Sequence, residues 1–421
     1  MARVGDLDFD TSLRMGVAVR DITPDHPMPL SGFAHRTGVS CGVDSPLFLR
    51  VFAFESDQRA VVIVADLIGW DAEDARKIET NNQVKFGAQL TILSATHTHS
   101  APCMLSYGHS LVNNREEVYM DFLHRCVEEA VRYAFENLEA VKLFSNSSSA
   151  AGLIVNRRLP TPDGIRALPN PEGALDPEVC VWRFDRVNGS AKAFWIHMAC
   201  HPTILAGNSI SSDFPGDLVR KMEEAHPAST CAFLQGCAGD LRPNLIDDQG
   251  AFRRTGVEDL RAFGANMYRR VEDSCRESMT PTGDACLKIE KHTIFGKTFD
   301  CGEVVPEDKI RMVGPVVPIR LSALRLTENA ALLALPGEPS VFYQQFIKSL
   351  RDEDILPLGY CNGMPGYLPT AEQIREGGYE SSGSCRYFGL AGPFQVELET
   401  EICNAAVGLV EKLFISEVVK D

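Results

Sequence analysis

Short apolar runs and amphipathic stretches alternate along this chain. Ala60 to Asp66 (AVVIVAD) and Gln89 to Leu93 are short runs of the buried type, which suits strands of a sheet covered on both faces. Glu178 to Phe184, Ala191 to Cys200, Thr230 to Gln235 and Ala330 to Leu335 read as further strands. From Glu116 to Leu138 the positions Val118, Phe122, Cys126, Ala130 and Ala134 recur every four residues, which predicts a helix with that row on one face. Gly256 to Cys275 and Pro339 to Leu350 predict amphipathic helices, and Val396 to Leu413 a closing helical segment. Strands and helices intermix over the whole length, so the fold class is α/β, mixed β-sheets flanked by helices. No repeat or Gly/Ser linker divides the chain, so residues 1–421 read as a single domain with an N-terminal extension over 1–14. The Gly/Pro-rich stretches Leu159 to Pro171 and Gly363 to Gly392 read as long loops, where sites tend to sit.

Composition narrows the function classes. Lys and Arg total 41 against 57 Asp and Glu, a net charge of −16, and such a surface repels a phosphate backbone, so nucleic acid is not expected as a partner. No apolar run approaches the roughly 18 residues that span a bilayer. Met1 to Asp10 carries three aspartates and no apolar core, so no secretory signal is read there. The 13 cysteines are irregularly spaced, without a C-x-x-C pair. That pattern suits reduced thiols and a cytoplasmic setting. Any metal must then rely on His, carboxylate or phenolate.

Among the ten histidines, His97 and His99 stand out in Thr96-His97-Thr98-His99, directly after the strand that ends at Leu93. Residues i and i+2 of an extended chain share a face, so both imidazoles can enter one pocket. The plainer alternative is a polar strand end with two solvated histidines. His201, in Cys200-His201-Pro202-Thr203, ends another apolar strand, and His197 four residues earlier shares its face if the strand stays regular. Strand carboxyl ends in α/β sheets frame crevices, although a histidine there can also be buried and satisfied by a carbonyl. Asp213 is placed to cap a helix beginning near Pro215. Glu338 follows Leu335-Pro336-Gly337 between a strand and a helix, as a ligand or as a first-turn acid. Two or three histidines with one glutamate at strand ends are the N/O donors that zinc takes, with a position left for water.

These residues carry a family resemblance. Val17-Ala18-Val19-Arg20-Asp21-Ile22-Thr23-Pro24 with Ser31-Gly32-Phe33 resembles the start of the neutral ceramidase catalytic domain. Ser94 to Pro102 is similar to its T-H-T-H-S-G-P, Asn156-Arg157 to its N-R, and His201-Pro202-Thr203 with Ser211-Ser212-Asp213 to its H-P and S-D segments. Pro336-Gly337-Glu338 resembles its P-G-E, and Asn362 to Thr370 its N-x-Y-x-x-Y-x-T-T, with Met364 for the first tyrosine and Tyr367 for the second. The resemblance implies a zinc site of His97, His201, Glu338 and Tyr367, with His99, Arg157 and Tyr379 as catalytic groups around it. It also implies the family's mixed α/β catalytic domain, and no room remains for the β-sandwich that usually follows.

The family's G-D-V-S-P-N appears as Gly239-Asp240-Leu241-Arg242-Pro243-Asn244, so Arg242 replaces the active-site serine. Ceramide itself is therefore not the expected substrate. The resemblance implies a zinc-dependent hydrolase in which metal-activated water attacks an amide, ester or lactone carbonyl. Two alternatives stay open: an esterase or lactonase for carbohydrate or small-acid substrates, and a non-catalytic metal-binding or scaffold protein. The expected partner is a small molecule, anionic if Arg242, with Asp240 and Asp213 nearby, binds substrate. An internal ion pair of Arg242 with Asp240 or Asp213 is the structural alternative.

Overall fold

The computed structural model describes residues 12–106, 108–109, 115–299, 310–311 and 313–415. Among them, a nine-stranded sheet runs in the order Thr230–Gln235, Ala191–Met198, Glu178–Arg186, Glu139–Ser149, Arg14–Asp21, Phe48–Glu55, Arg59–Ala65 and Leu90–Ala95, with Thr280–Pro281 added beside Glu139–Ser149. A four-stranded sheet follows the order Ala285–Lys297, Val316–Thr327, Ala330–Ala334 and Asp354–Leu358. Each sheet is mixed: Arg59–Ala65 with Leu90–Ala95, Ala191–Met198 with Thr230–Gln235, and Ala330–Ala334 with Asp354–Leu358 are parallel pairs.

The alternation of side chains explains why the central strands are apolar throughout. Ala60, Val62 and Val64 pack with Phe52, Phe54, Trp195, Leu332 and Leu356 between the two sheets. Val61, Ile63 and Ala65 belong to a second core that includes Leu123, Val127 and Ala130 of the helix Glu117–Glu136. Ala331 and Leu333 likewise leave the inter-sheet core for the second one, which takes in Ile402, Ala406 and Leu409 of the helix Glu397–Phe414. Two packed sheets with helices on the outer faces give four layers, and strands buried on both faces cannot alternate with polar residues.

Several expectations need correction. The predicted row on the helix Glu117–Glu136 begins at Val118, which is exposed, whereas Tyr119, Leu123, Cys126, Val127, Ala130 and Ala134 are buried. A step of four residues overshoots one turn by about 40°, so the row drifts off the inner face. The stretch read as a loop from Leu159 to Pro171 lies mostly in a hairpin of Ile154–Thr161 and Gly164–Asn170, closed through Pro162-Asp163. Gly363 to Gly392 contains the short pieces Tyr367–Leu368, Ala371–Glu376, Tyr379–Gly383 and Cys385–Tyr387. Of the predicted extension 1–14, residues 1–11 lie outside the described residues, Leu13 is buried and Arg14 opens a strand. No helix of the described residues is long and apolar enough to cross a membrane.

Candidate metal centre

The carboxyl ends of the parallel strands all feed one region. His97 and His99 follow Leu90–Ala95, His201 follows Ala191–Met198, the segment to Arg242 follows Thr230–Gln235, Glu338 follows Ala330–Ala334 and Tyr367 follows Asp354–Leu358. The last of these loops is docked along Leu90–Ala95: Asn362 Oδ1 accepts from the Leu93 amide at 3.0 Å and Asn362 Nδ2 donates to the Thr91 carbonyl at 2.8 Å. Glu338 and Tyr367 are direct partners in a short parallel ladder, so the register of two backbone segments sets their side chains next to each other.

Hydrogen bonds fix the tautomers of two histidines. His97 Nδ1 lies 2.5 Å from the Ile68 carbonyl and His201 Nδ1 lies 2.9 Å from the Ala238 carbonyl. A carbonyl only accepts, so each Nδ1 carries the proton and each Nε2 presents a lone pair. Those two Nε2 atoms are 3.0 Å apart, and Glu338 Oε2 is 3.3 Å from one and 3.4 Å from the other. Oε2 is buried and has no hydrogen-bond partner among the described residues. Three electron pairs thus converge on one point. Donors on a tetrahedral zinc with bonds of about 2.0–2.1 Å lie about 3.3–3.4 Å apart, so this donor set fits such an ion.

His97 pays for its placement with a left-handed backbone, φ 65°, and its ring lies on the Tyr360 ring at 4.1 Å. His99 differs. Its Nε2 is 3.2 Å from His97 Nε2, and His97, His99 and His201 form the group of potential ligands that lies within 4.8 Å. Its Nδ1, however, is buried with no partner among the described residues, so no carbonyl locks its tautomer. Gly32, at φ 98°, makes room for this ring, since a Cβ there would stand 2.5 Å from it. Burial holds both His99 and His201 well below the usual imidazole range, which keeps them neutral and fit to donate an electron pair.

Tyr367 brings a phenol whose oxygen accepts from Arg157 Nη2 at 3.0 Å. Burial, then the Glu338 carboxylate, pushes that phenol well above its ordinary value. Arg157 is itself clamped by Glu380 at 2.8 Å and by the Gly239 carbonyl at 2.6 Å, and its guanidinium lies over the rings of Tyr367 and Tyr379. Burial alone would weaken its charge, but Tyr367, Glu380 and Glu338 outweigh that and hold it protonated. Tyr379 is 40% exposed and packs edge-on against Tyr367 at the solvent side. His99, Glu338, Tyr367 and Tyr379 border a cleft to which Leu105 and Phe388 give apolar walls.

The remaining predicted residues have other surroundings. Asp240 accepts from the Val341 amide, the Ser340 hydroxyl and Gln373, all near 2.8–2.9 Å, so it ties down the start of the helix that follows Glu338. Asp213 opens the helix Asp213–Ala225 and accepts from the Leu205 and Phe214 amides. Neither aspartate pairs with Arg242, whose Nε donates to Thr203 Oγ1 at 3.2 Å. His197 sits in its strand with Nε2 donating to the Pro357 carbonyl at 2.8 Å, apart from the cluster. Sequence reasoning overlooked Tyr360 and Glu380. Glu380 is signalled only by standing next to Tyr379, and Tyr360 by the Asn362 motif two residues later.

Residues 13–260 match the N-terminal region of the neutral/alkaline non-lysosomal ceramidases. The chain belongs to that family. Its match takes in His97, His99, Arg157, His201 and Arg242, while Glu338, Tyr367 and Tyr379 lie beyond it. A neutral ceramidase of Mycobacterium tuberculosis (strain ATCC 25618 / H37Rv) is 25% identical over 264 residues, which cover 55% of this chain and 40% of that relative. The chain thus spans about two fifths of that relative's length. In fold, the chain resembles the crystal structure of neutral ceramidase from Pseudomonas aeruginosa, with a TM-score of 0.76 at 18% identity over 97% of this chain and 76% of that one. A ceramidase complexed with C2 gives a TM-score of 0.75 at 18% identity over 98% of this chain and 78% of that one. The ceramidase-like α/β architecture therefore extends past the matched segment, through the strands that carry Glu338 and Tyr367.

Proposed function

We propose that this protein is a zinc-dependent hydrolase of the ceramidase family that cleaves an amide, ester or lactone bond. The observation that carries the reading is the convergence of His97 Nε2, His201 Nε2 and the unpartnered Glu338 Oε2 at 3.0–3.4 Å. Tyr367 completes the ligand set on this reading, its backbone held beside Glu338. A divalent ion bound there supplies a Lewis acid that polarises a carbonyl and brings the pKa of water toward about 7.

The chain's own groups do the rest. The carbonyls of Ile68 and Ala238 hold the two imidazoles in the ligating tautomer. His99, neutral and without a locked tautomer, and Tyr379, at the cleft mouth, donate hydrogen bonds to the oxygen that gains charge as water adds to the carbonyl. Water is added across the bond: the acyl carbon keeps the hydroxyl, the C–N or C–O bond breaks and the leaving atom takes the proton. The irregular spacing of the cysteines and the burial of most of the described ones support a cytoplasmic setting.

Metal analysis of the purified protein is expected to give about one zinc per chain. His201→Ala and Glu338→Ala should lose it and lose hydrolysis of amide, ester and lactone probes, while keeping the far-ultraviolet dichroism of the parent. Full metal occupancy in either variant would remove that residue from the ligand set.

A further inference from the structure

The arginines around the centre differ in what their charge meets. Arg157 is paired with Glu380, and Arg36 gives Nη1 to the Ser31 and His99 carbonyls and Nη2 to the Gly207 carbonyl. Arg242 has no carboxylate within salt-bridge distance among the described residues. Its guanidinium lies 4.4 Å over the Phe252 ring, and Nε is steadied by Thr203, two residues beyond His201. Its terminal nitrogens Nη1 and Nη2 have no hydrogen-bond acceptor among the described residues, yet neither is a buried orphan, so both reach open space. Asp240 and Asp213, the acids nearest in sequence and in field, have their oxygens engaged by other donors.

A partly buried guanidinium with no carboxylate beside it costs stability that a bound anion recovers. Burial, reinforced by the Arg157 charge, pushes Arg242 down to about 10, which still leaves it protonated at neutral pH. Its field also falls on His99, which borders the cleft. A planar fork with two unengaged nitrogens, stacked on the Phe252 ring and held at Nε by Thr203, is shaped for bidentate capture of an oxyanion.

We propose that Arg242 grips a carboxylate or phosphate of the substrate, so that the site takes acyl compounds bearing an anion close to the scissile bond. The apolar walls of the cleft receive the acyl part, and the anion lies on the Arg242 side of His99. An N-acyl amino acid is the simplest carboxylate form. This assignment rests on the hydrolase reading, and its test separates the two.

The probes are N-octanoylglycine, its neutral amide N-octanoylglycinamide, and N-octanoyl phosphoethanolamine, each followed by product release and by calorimetric binding to the zinc-loaded protein. The wild type is expected to favour at least one anionic probe over the neutral amide by about 30-fold or more in kcat/KM, and the preferred anion names the source. Arg242→Ser should abolish the preference and Arg242→Lys should restore only part of it, because an ammonium lacks the fork. Should Arg242→Ser fail to fold, the wild-type comparison and Arg242→Lys still decide. Equal turnover of charged and neutral probes, a preference that survives Arg242→Ser, or no binding of any probe overturns the assignment. If an anionic probe binds through Arg242 but no probe is hydrolysed, the anion site stands and the hydrolase reading fails.

Discussion

One residue type does opposite work within a few positions of this chain. His97 and His201 turn Nδ1 to a carbonyl and leave Nε2 open to a ligand, whereas His197 gives Nε2 to the Pro357 carbonyl and leaves Nδ1 buried without a partner among the described residues. The sequence placed His197 on the same face as His201, but the strand ends at Met198 and the even spacing no longer applies. Burial pushes His197 down to about 4, from an ordinary value near 6.5. Between those values the unfolded chain binds a proton that the native chain refuses, so native stability is full above pH 6.5 and is lost as pH falls toward 4. The loss attributable to this group reaches about 3 kcal/mol. His197→Gln, which can still donate to Pro357, should flatten the decline in urea-unfolding stability over that interval by about one proton. A decline identical to the parent's would clear His197 of the effect.

At the level of elements, what could be read and what could not divide along burial. The strands Arg59–Ala65, Ala191–Met198, Thr230–Gln235 and Ala330–Ala334 were legible because both faces are covered and the apolar run is unbroken. Phe48–Glu55 is just as central, yet Arg50 interrupts it, and that charge is tolerated only because Asp66 and Glu223 lie 3.7 Å and 3.5 Å away. Ala72–Phe86 is a helix with few apolar residues, held by its Asp71 cap and by Gly87 in the left-handed conformation. The hairpin at Thr161 to Gly164 hid behind its proline and glycine, which mark a turn as readily as a loop. His97, His99, His201 and Glu338 stood out by their places at strand ends and Tyr367 only through motif resemblance, and the ladder that pairs Glu338 with Tyr367 is a long-range register that no local pattern encodes. One contact of this kind is directly testable. Gly16 lies under the helix Glu117–Glu136, where an added Cβ would stand 1.7 Å from the Ala134 carbonyl oxygen. Gly16→Ala must push the helix off the sheet and is expected to cost about 2–3 kcal/mol in urea unfolding. An unchanged midpoint would mean that the helix shifts at no cost.

Across the whole molecule, the donors sit at the strand ends while the hydrophobic cores lie between the layers. The fold therefore does not depend on an ion in the way a small zinc domain does. Chelation should lower the unfolding free energy by the linkage term, about 2.7 kcal/mol if free metal stood at 100 times its dissociation constant, and the melting temperature with it, yet leave the protein folded at 25 °C. Loss of far-ultraviolet dichroism on chelation at that temperature would show instead that the ion holds the layers together. The order of the donors along the chain has a different consequence. His97 and His201 emerge from the ribosome long before Glu338 and Tyr367, and the ladder that joins the latter pair needs both of their segments in place. A nascent chain stalled after His201 can offer an ion two imidazoles but neither the carboxylate nor the phenol. On the proposed ligand set, capture of an ion then waits until the segment through Tyr367 has been made, and a product truncated before it lacks the carboxylate and phenol donors.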